Sequence, residues 1–469
     1  MLSRYIRISA LVACAGLLVC SRGSAGDTGP LRVGAARVDV TPDANALPSG
    51  YTAILDHLYV RAIVLDNGHT RAALLSGDLI GFGEDAYQAI SKQLAKELEI
   101  PVANILISVT HDHSAPLPGG GFGRTPDPNS LAFQKKVENG MMEAVRQARA
   151  KLQPAAIGFA TGALYLNVNR DAIDPKTRLW AQEPNLDYPS DKTLAVIEFK
   201  SPSGDLIAVY MNYAMHAVSL FLRGDISGDF PGAAERYIEH LYDDKVVALW
   251  TSGAAGDQNP LYARANQNIV DLKVGAVMKE ENTHLGSGIM RAMGGDPVAS
   301  KTKGKAIDVE ESTQIVQSMG QLTAEEAIRV MGTIRQASSN VEIVGSQQTI
   351  TCPARRRTDS GREGAPGTYE DSPDPVQIRI GALRIGDIVL GYANAEIYNR
   401  IGQRLKQESI YHNTLMVTLT NGMANSGYVP TDDAFGRYTF EVLGSRLKPG
   451  CAENAIVNGV NDLLGKTSQ

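Results

Sequence analysis

The sequence predicts an α/β fold in which a mixed β-sheet core is flanked by helices. Short apolar, β-branched runs recur along the chain, each ends in a polar or glycine-containing turn, and several are followed by a helical pattern. Strands mixed with helices are typical of layered domains in which helices cover a largely buried sheet. Two neighbouring runs between Leu58 and Gly77 are placed like a hairpin, so the sheet is expected to be mixed rather than wholly parallel.

The individual elements follow from these patterns. Strands are predicted at Leu58–Leu65, Arg71–Gly77, Asn104–Val109, Thr193–Phe199, Leu206–Tyr213, Val246–Thr251, Ile378–Ile380, Asp387–Gly391 and Thr414–Thr420. Helices are predicted at Asp85–Leu98, Ser130–Leu152, Pro231–Leu241, Thr323–Gln336 and Ala393–Gln407. The Gly-, Pro- and acid-rich stretch 361–375 indicates a solvated loop, and residues 265–305 indicate an irregular excursion. The sequence shows no internal repeat and no linker, so a single domain is expected over residues 26–469.

The first 25 residues resemble an export signal. Arg4 and Arg7 precede the mostly apolar stretch Ile8–Cys20, and small residues end at Ala25. The segment Leu11–Cys14 resembles a lipobox and leaves a lipoprotein alternative open, although the apolar stretch before it is short. We expect cleavage near Ala25 and a periplasmic or secreted protein, and no later segment has the apolar length of a transmembrane helix.

The net charge and the cysteine content limit the functions that this chain can have. The formal net charge is −6, and removal of the signal with its three arginines makes it −9. Such an acidic exported chain is a poor candidate for nucleic-acid binding. Only Cys352 and Cys451 remain after the signal, and they could pair in an oxidising compartment if the fold makes them neighbours.

The strongest chemical signal is the pair His111 and His113, directly behind the apolar run Asn104–Thr110. Side chains at i and i+2 of an extended segment point the same way, and imidazole is a common zinc ligand. The chain has only eight histidines. Two of them in a three-residue window favour a metal or catalytic site over a turn in which both cap backbone groups.

Other predicted strands also end in unusual polar residues. These are His216, Ser252 with the turn Gly256–Pro260, Glu396 in the expected first turn of a helix, and the segment that ends at Tyr428. Taken singly, they are typical of a core histidine, a helix-start carboxylate and a core tyrosine. Ligands gather at the carboxyl ends of strands in α/β sheets, so their shared placement predicts one site.

The motifs occur in the order found in the neutral, non-lysosomal ceramidases, and the chain resembles their catalytic domain from Gly34 to about Gly450. The family's THxHS-type motif is matched by Thr110–Ser114, its Asn-Arg pair by Asn169 and Arg170, its second histidine motif by Asn212–His216 followed by Ile226–Gly232, its glycine turn by Gly256, Asp257 and Pro260, and its Ser-Gly-Tyr-Val segment by Ser426–Val429. Larger members also carry a C-terminal immunoglobulin-like domain, which we expect this chain to lack.

The resemblance implies a ceramidase-like fold and one zinc ion per chain. The implied ligands are His111, His216, Glu396 and Tyr428, with His113 beside them as a proton handler. Nitrogen and carboxylate ligands suit zinc, which lowers the pKa of water and polarises an amide carbonyl. Arg170 is expected to hold the substrate or the developing oxyanion, and Asp257 is a further predicted catalytic residue.

Two departures from the family pattern concern the substrate side. The family turn commonly reads Gly-Asp-x-Ser-Pro, and its serine has been proposed as a nucleophile, whereas this chain has Asn259. An amide cannot perform the attack, so metal-activated water is the expected nucleophile. Phe440 stands where the family has a tyrosine, and Tyr438 is expected to supply the missing hydroxyl. Ser252, Asn259 and Tyr438 are the predicted substrate-binding residues.

The sequence therefore predicts an exported zinc amidohydrolase that cleaves the N-acyl bond of ceramide or a related N-acyl lipid. One alternative is a hydrolase of this fold that acts on another amide or an ester. A metallo-β-lactamase-like enzyme is disfavoured because Ser114 and Ala115 stand where that family has Asp-His. An inactive N-acyl-lipid-binding protein is suggested by Asn259 and Phe440 and disfavoured by the intact ligand set.

Overall fold

The computed structural model describes residues 29–120, 126–220, 224–262, 309–359 and 363–467. Its strands are β1 Arg32–Asp39, β2 Ala53–Ile54, β3 Tyr59–Asp66, β4 Arg71–Gly77, β5 Ile105–Val109, β6 Gln153–Pro154, β7 Ala156–Ala163, β8 Asn167–Ile173, β9 Trp180–Asn185, β10 Thr193–Lys200, β11 Leu206–Tyr213, β12 Asp225–Ile226, β13 Val247–Ser252, β14 Gln258–Pro260, β15 Ala337–Ser338, β16 Ile343–Arg357, β17 Tyr369–Ile385, β18 Ile388–Ala393, β19 Glu396–Ile397, β20 Asn413–Val417 and β21 Tyr428–Val429. Its α-helices are α1 Glu84–Leu98, α2 Pro128–Ala150, α3 Asp229–Leu241, α4 Val309–Met331, α5 Asn399–Glu408, α6 Phe440–Gly444 and α7 Ala452–Thr467, and Val102–Asn104 and Asp432–Arg437 form short 3₁₀ helices.

Three units of the same topology form the body of the fold. In each unit, three strands pair antiparallel in succession, and a helix then leads to a fourth strand that lies parallel to the third. The units are β1-β3-β4-α1-β5, β7-β10-β11-α3-β13 and β16-β17-β18-α5-β20. A parallel pair needs such a crossover, and the helix provides it. The repetition lies in the topology and is not visible in the residues themselves.

The three main sheets share one core. Strand β3 illustrates the pattern, because Ile63 and Leu65 face the other sheets whereas Val60, Ala62 and Val64 face the helices. Burial on both faces explains why these strands read as nearly continuous apolar runs. Helices α1 and α2 cover the first sheet, α3 and α4 the second, and α5 and α7 the third. The predicted mixed β-sheet core flanked by helices is confirmed.

In the third unit, one predicted strand was too short and part of one predicted loop was wrong. The strand expected at Ile378–Ile380 is the middle of the 17-residue strand β17, and Tyr369–Pro375, expected in a loop, is its outer half. This half pairs with β16 as an exposed ribbon, with Arg356 opposite Glu370, so its side chains are polar on both faces. The pattern therefore lacked the apolar alternation that predicts a strand.

The helix expected over Ala393–Gln407 begins only at Asn399. Glu396 lies instead in the two-residue strand β19, where its backbone pairs with that of Tyr428. The predicted helix Thr323–Gln336 is the second half of α4 and ends at Met331. Strands such as β7 and β8 were missed because they lack a β-branched apolar run. The predicted export signal, the excursion at 265–305 and residues 361–362 of the predicted loop lie outside the described residues.

The two cysteines, whose pairing the sequence left open, form a disulfide. Cys352 on β16 is bonded to Cys451, directly before α7, across a sequence separation of 99 residues. The bond fastens the last helix to the third sheet. In the part of the chain that the structure describes, we find no helix with the length and apolarity required to span a bilayer.

Candidate metal centre

The loops that follow the parallel strands of the three units meet at one end of the molecule. His111 follows β5, His216 follows β11 and Glu396 follows β18. Backbone hydrogen bonds fasten the loops to each other, since the His113 amide donates to the Ala217 carbonyl at 2.9 Å and the His216 amide donates to the Gln258 carbonyl at 3.0 Å. The predicted convergence of these strand exits is therefore correct.

Three imidazoles and a carboxylate form a compact cluster in these loops. Glu396 Oε2 lies 3.1 Å from His111 Nε2 and 3.3 Å from His216 Nε2. His113 Nε2 lies 3.2 Å from His111 Nε2. The three histidines offer nitrogen atoms that all lie within 4.8 Å of one another. This buried group could hold a metal ion.

The outer nitrogens of two imidazoles are fixed by backbone carbonyls. His111 Nδ1 contacts the Ile80 carbonyl at 2.8 Å, and His216 Nδ1 contacts the Gln258 carbonyl at 3.1 Å. A carbonyl only accepts, so each Nδ1 carries the proton and each Nε2 directs its lone pair into the cluster. This is the arrangement that orients histidine ligands in metal sites.

Burial sets the protonation state of the cluster. Burial and Arg170 lower the pKa of His216 to about 4, and burial together with His111 and His216 lowers the pKa of His113 well below its ordinary value. Burial alone would raise the pKa of Glu396, but His111 and His216 outweigh it and hold that pKa well below its usual range. Neutral imidazoles and a carboxylate are the forms that bind a divalent cation.

Tyr428 and Arg170 lie beside the cluster. The Tyr428 ring centroid is 6.5 Å from that of His216, and the Arg170 guanidinium carbon is 5.5 Å from the Tyr428 ring centroid. Burial and the Glu396 carboxylate raise the pKa of Tyr428 well above its ordinary value. Phe440 packs edge-on against the same ring at 5.8 Å. The Tyr428 ring is therefore adjacent to the cluster and lies beside a buried cation.

The other predicted site residues lie farther along the same loops. Asp257 accepts hydrogen bonds from the Asn399 amide at 2.8 Å and Asn169 Nδ2 at 2.9 Å, and burial raises its pKa to about 6. The Ser252 hydroxyl donates to the Thr110 carbonyl at 3.1 Å, directly before the first histidine. The catalytic role of Asp257 and the substrate-binding role of Ser252 remain predictions.

Tyr438 and Asn259 are placed differently from each other. Tyr438 has a positive φ of 54°, its carbonyl accepts from the Gly364 amide, and its phenol interacts electrostatically with Arg355 on β16. Asn259 is 1% exposed, and its side-chain oxygen accepts from Arg170 Nη1 at 3.0 Å. The structure thus joins Asn259 to the cluster through Arg170, and the predicted roles of both residues in substrate binding stay predictions.

Sequence reasoning missed three contributors to the site. Glu441 forms an ion pair with Arg170 Nε at an N–O distance of 2.6 Å, but it lies in the five-residue helix α6, which is too short to show a periodic pattern. Ile80 and Gln258 contribute only their carbonyl oxygens. Because any residue type carries that oxygen, no sequence signal could have identified these two positions.

Residues 32–355 match the sequence profile described as neutral/alkaline non-lysosomal ceramidase, N-terminal, which is more than half of the chain. The chain belongs to this family. It is 26% identical over 377 residues to the neutral ceramidase of Drosophila pseudoobscura pseudoobscura, which covers 74% of this chain and 49% of that protein. It is 24% identical over 456 residues to neutral ceramidase B of Dictyostelium discoideum, which covers 78% of this chain and 62% of that protein. The ceramidase-family chain thus spans about half to three fifths of these relatives.

The fold also matches a solved member of the family. The crystal structure of neutral ceramidase from Pseudomonas aeruginosa superposes with a TM-score of 0.67 at 17% identity and covers 93% of this chain and 74% of that chain. A structure of a ceramidase complexed with C2 gives the same TM-score and identity. At this identity the likeness establishes the ceramidase fold, which agrees with the predicted fold class.

Proposed function

We propose that the protein is a zinc-dependent amidohydrolase that cleaves the N-acyl amide bond of ceramide or a related N-acyl lipid. The observation that carries the proposal is the convergence of His111 and His216 on Glu396, whose Oε2 lies 3.1 Å from His111 Nε2 and 3.3 Å from His216 Nε2. The relatives in Drosophila and Dictyostelium are named neutral ceramidases, which supports an N-acyl sphingolipid as the default substrate.

The proposed metal ligands are His111, His216, Glu396 and Tyr428. Two nitrogen donors with fixed tautomers, a carboxylate and a nearby phenol agree with the ligand preferences of zinc. When bound there, zinc supplies a lowered pKa for water and polarisation of an amide carbonyl. Tyr428 is included because its ring centroid lies 6.5 Å from that of His216 and its backbone pairs with that of Glu396.

His113 is proposed to move the proton. Its lowered pKa keeps the imidazole neutral at physiological pH, so it can accept a proton from the attacking water and return it to the leaving amine. Asn259 occupies the position of the family's proposed nucleophilic serine and has no hydroxyl to activate. Water is therefore the nucleophile in this proposal, and no covalent acyl intermediate forms.

Export is part of the same proposal. It is supported by the basic start, apolar stretch and small residues of the first 25 positions, and by the disulfide between Cys352 and Cys451, a bond typical of oxidising compartments. Fractionation and N-terminal sequencing should find the protein outside the cytoplasm and starting near Gly26. An uncleaved cytoplasmic chain would contradict export.

The catalytic proposal is tested by assaying metal content and hydrolysis on the same samples. His111→Ala and Glu396→Ala should each remove bound zinc and hydrolysis of N-acyl sphingosine together. His412→Ala is the matched control, because this exposed histidine precedes β20 at the end opposite the cluster. Hydrolysis that persists in a verified zinc-free variant would overturn the proposal.

The same screen separates the alternatives. Faster cleavage of N-acyl amides without a sphingoid base, or of the corresponding esters, would retain the metal chemistry and replace ceramide as the substrate. Tight binding of an N-acyl lipid by zinc-loaded protein with no turnover over hours would favour the binding-protein alternative. That outcome would indicate that the two departures from the family pattern, Asn259 and Phe440, have abolished catalysis.

A further inference from the structure

The guanidinium of Arg170 is held from three sides. Nε forms an ion pair with Glu441 Oε1 at an N–O distance of 2.6 Å, Nη1 donates a hydrogen bond to Asn259 Oδ1 at 3.0 Å, and Nη2 donates a hydrogen bond to the Gly256 carbonyl at 2.6 Å. Arg170 is only 4% exposed, and its guanidinium carbon lies 5.5 Å from the centroid of the Tyr428 ring. Each nitrogen of the guanidinium therefore faces an oxygen of the protein, and the group lies in the wall of the site.

We propose that Glu441 and Asn259 are positioning residues that act on the reaction through Arg170. Together with the Gly256 carbonyl they form a cradle that fixes the guanidinium beside the Tyr428 ring. The inference rests on the proposed function for the identity of the reaction. It assigns Arg170 to the orientation of Tyr428, in place of the direct substrate contact expected from the sequence.

Glu441 is the charged part of the cradle. Its carboxylate is fully buried and also accepts from Gln182 Nε2 at 2.9 Å and from the Tyr398 hydroxyl at 3.5 Å, so its own position is fixed. A buried guanidinium needs an anion close by, because an unpaired buried charge is costly. Replacing the carboxylate with an amide would weaken the hold on Arg170 without changing the shape of the cradle.

Asn259 explains why this chain can differ from the family at the serine position. Its amide oxygen lies one bond farther from the backbone than a serine hydroxyl, and it accepts from Arg170 Nη1 at 3.0 Å. Substitution by serine would draw the acceptor away from the guanidinium. The asparagine is thus joined to the arginine, which gives it a role that needs no nucleophile.

The test uses chemical rescue of an Arg170→Ala variant by guanidinium chloride at millimolar concentration, with sodium chloride at equal ionic strength as the reference. The variant should lose about 100-fold in kcat because Tyr428 is no longer oriented. Added guanidinium should occupy the cradle, restore part of kcat with little change in KM, and raise the melting temperature of the zinc-free variant.

Two double variants then examine the cradle itself. Arg170→Ala combined with Glu441→Gln, or with Asn259→Ser, should need about 10-fold more guanidinium for both the rescue and the thermal shift. The first double variant loses the ion pair to the guanidinium, and the second loses a hydrogen bond to this charged group. The Asn259→Ser version keeps the test decisive if the Glu441→Gln protein does not fold. Zinc content should be the same in every variant.

Arg384→Ala is the matched control. Arg384 is also a buried arginine held by a glutamate and a carbonyl, Glu342 Oε2 at 2.8 Å and Gly386 at 3.0 Å, but it lies at the end of β17 away from the cluster. The activity of the Arg384→Ala variant should equal that of the wild type with or without guanidinium.

Equal rescue of the single and double Arg170 variants, or rescue that appears only in KM, would overturn the inference. If the wild type hydrolyses no N-acyl substrate, the proposed function fails, while equal thermal shifts in the single and double variants would still refute the cradle.

Discussion

One methyl group added at Gly256 should lower both the stability of the protein and its activity. Its amide donates to the Ile397 carbonyl at 2.8 Å, and its own carbonyl accepts from Arg170. A Cβ added there would lie 2.9 Å from both the carbon and the oxygen of the Ile397 carbonyl and 3.1 Å from the Tyr398 amide nitrogen. All three are backbone atoms, so no change of side-chain rotamer can relieve the contact.

The expected magnitude of Gly256→Ala follows from this geometry. Forcing one methyl group into a packed site costs about 1–3 kcal/mol of unfolding free energy. Relief requires the Ile397 backbone to move, and Glu396 is the residue directly before it. Because a misplacement of about 1 Å near reacting groups can cost about 100-fold in rate, we expect kcat/KM to fall by about that factor.

Urea unfolding and steady-state hydrolysis of an N-acyl sphingosine measure the two effects. Gly465→Ala in α7 is the control, since nothing lies within 4 Å of its added Cβ. It should leave activity unchanged and stabilise the helix by about 0.5–1 kcal/mol. A Gly256→Ala protein with the stability and kcat/KM of the wild type would refute the close packing between the glycine turn and the Glu396 segment.

Three further predictions follow from the structure. The pKa of His216 falls from 6.5 to about 4 on folding, so its neutral form stabilises the metal-free protein above pH 6.5 and this contribution is lost toward pH 4. Between pH 4 and pH 7, the unfolding free energy of the wild type should therefore rise by about 3 kcal/mol more than that of the His216→Asn variant. Equal rises in the two proteins would contradict this prediction. Ser252→Ala should cost about 1 kcal/mol through the lost hydrogen bond to Thr110 and leave KM unchanged, whereas a clear rise in KM would support the predicted substrate contact. Replacing Cys352 and Cys451 by serine should lower the unfolding free energy in urea by about 4–5 kcal/mol, because the bond closes a loop of about a hundred residues, and a loss below about 1 kcal/mol would refute its contribution.

The arrangement of the site was largely predictable because its residues lie directly after strands. His111, His216 and Glu396 each follow a strand whose apolar run is plain in the sequence, and parallel strands bring such exits to one edge. The order of the motifs then identified the family, which the match over residues 32–355 confirms.

The remaining features depend on tertiary contacts that no local pattern encodes. Glu396 was expected in a helix because a helical pattern follows it, but pairing with the Tyr428 backbone holds it in an extended segment. The strand Tyr369–Ile385 was predicted too short because its outer half is solvated on both faces and lacks apolar alternation. No sequence pattern identified Glu441, because its ion pair with Arg170 joins two residues that only the fold brings together.

The ligand set itself is the central claim, and the role of His113 is its sharpest part. Crystals of zinc-loaded protein, with anomalous diffraction recorded at the zinc edge, locate the ion directly. We expect one peak per chain at about 2.0–2.2 Å from His111 Nε2, His216 Nε2 and a Glu396 oxygen, with the Tyr428 oxygen as the fourth neighbour and His113 outside bonding distance. A peak bonded to all three histidines, or no peak among these residues, would contradict it.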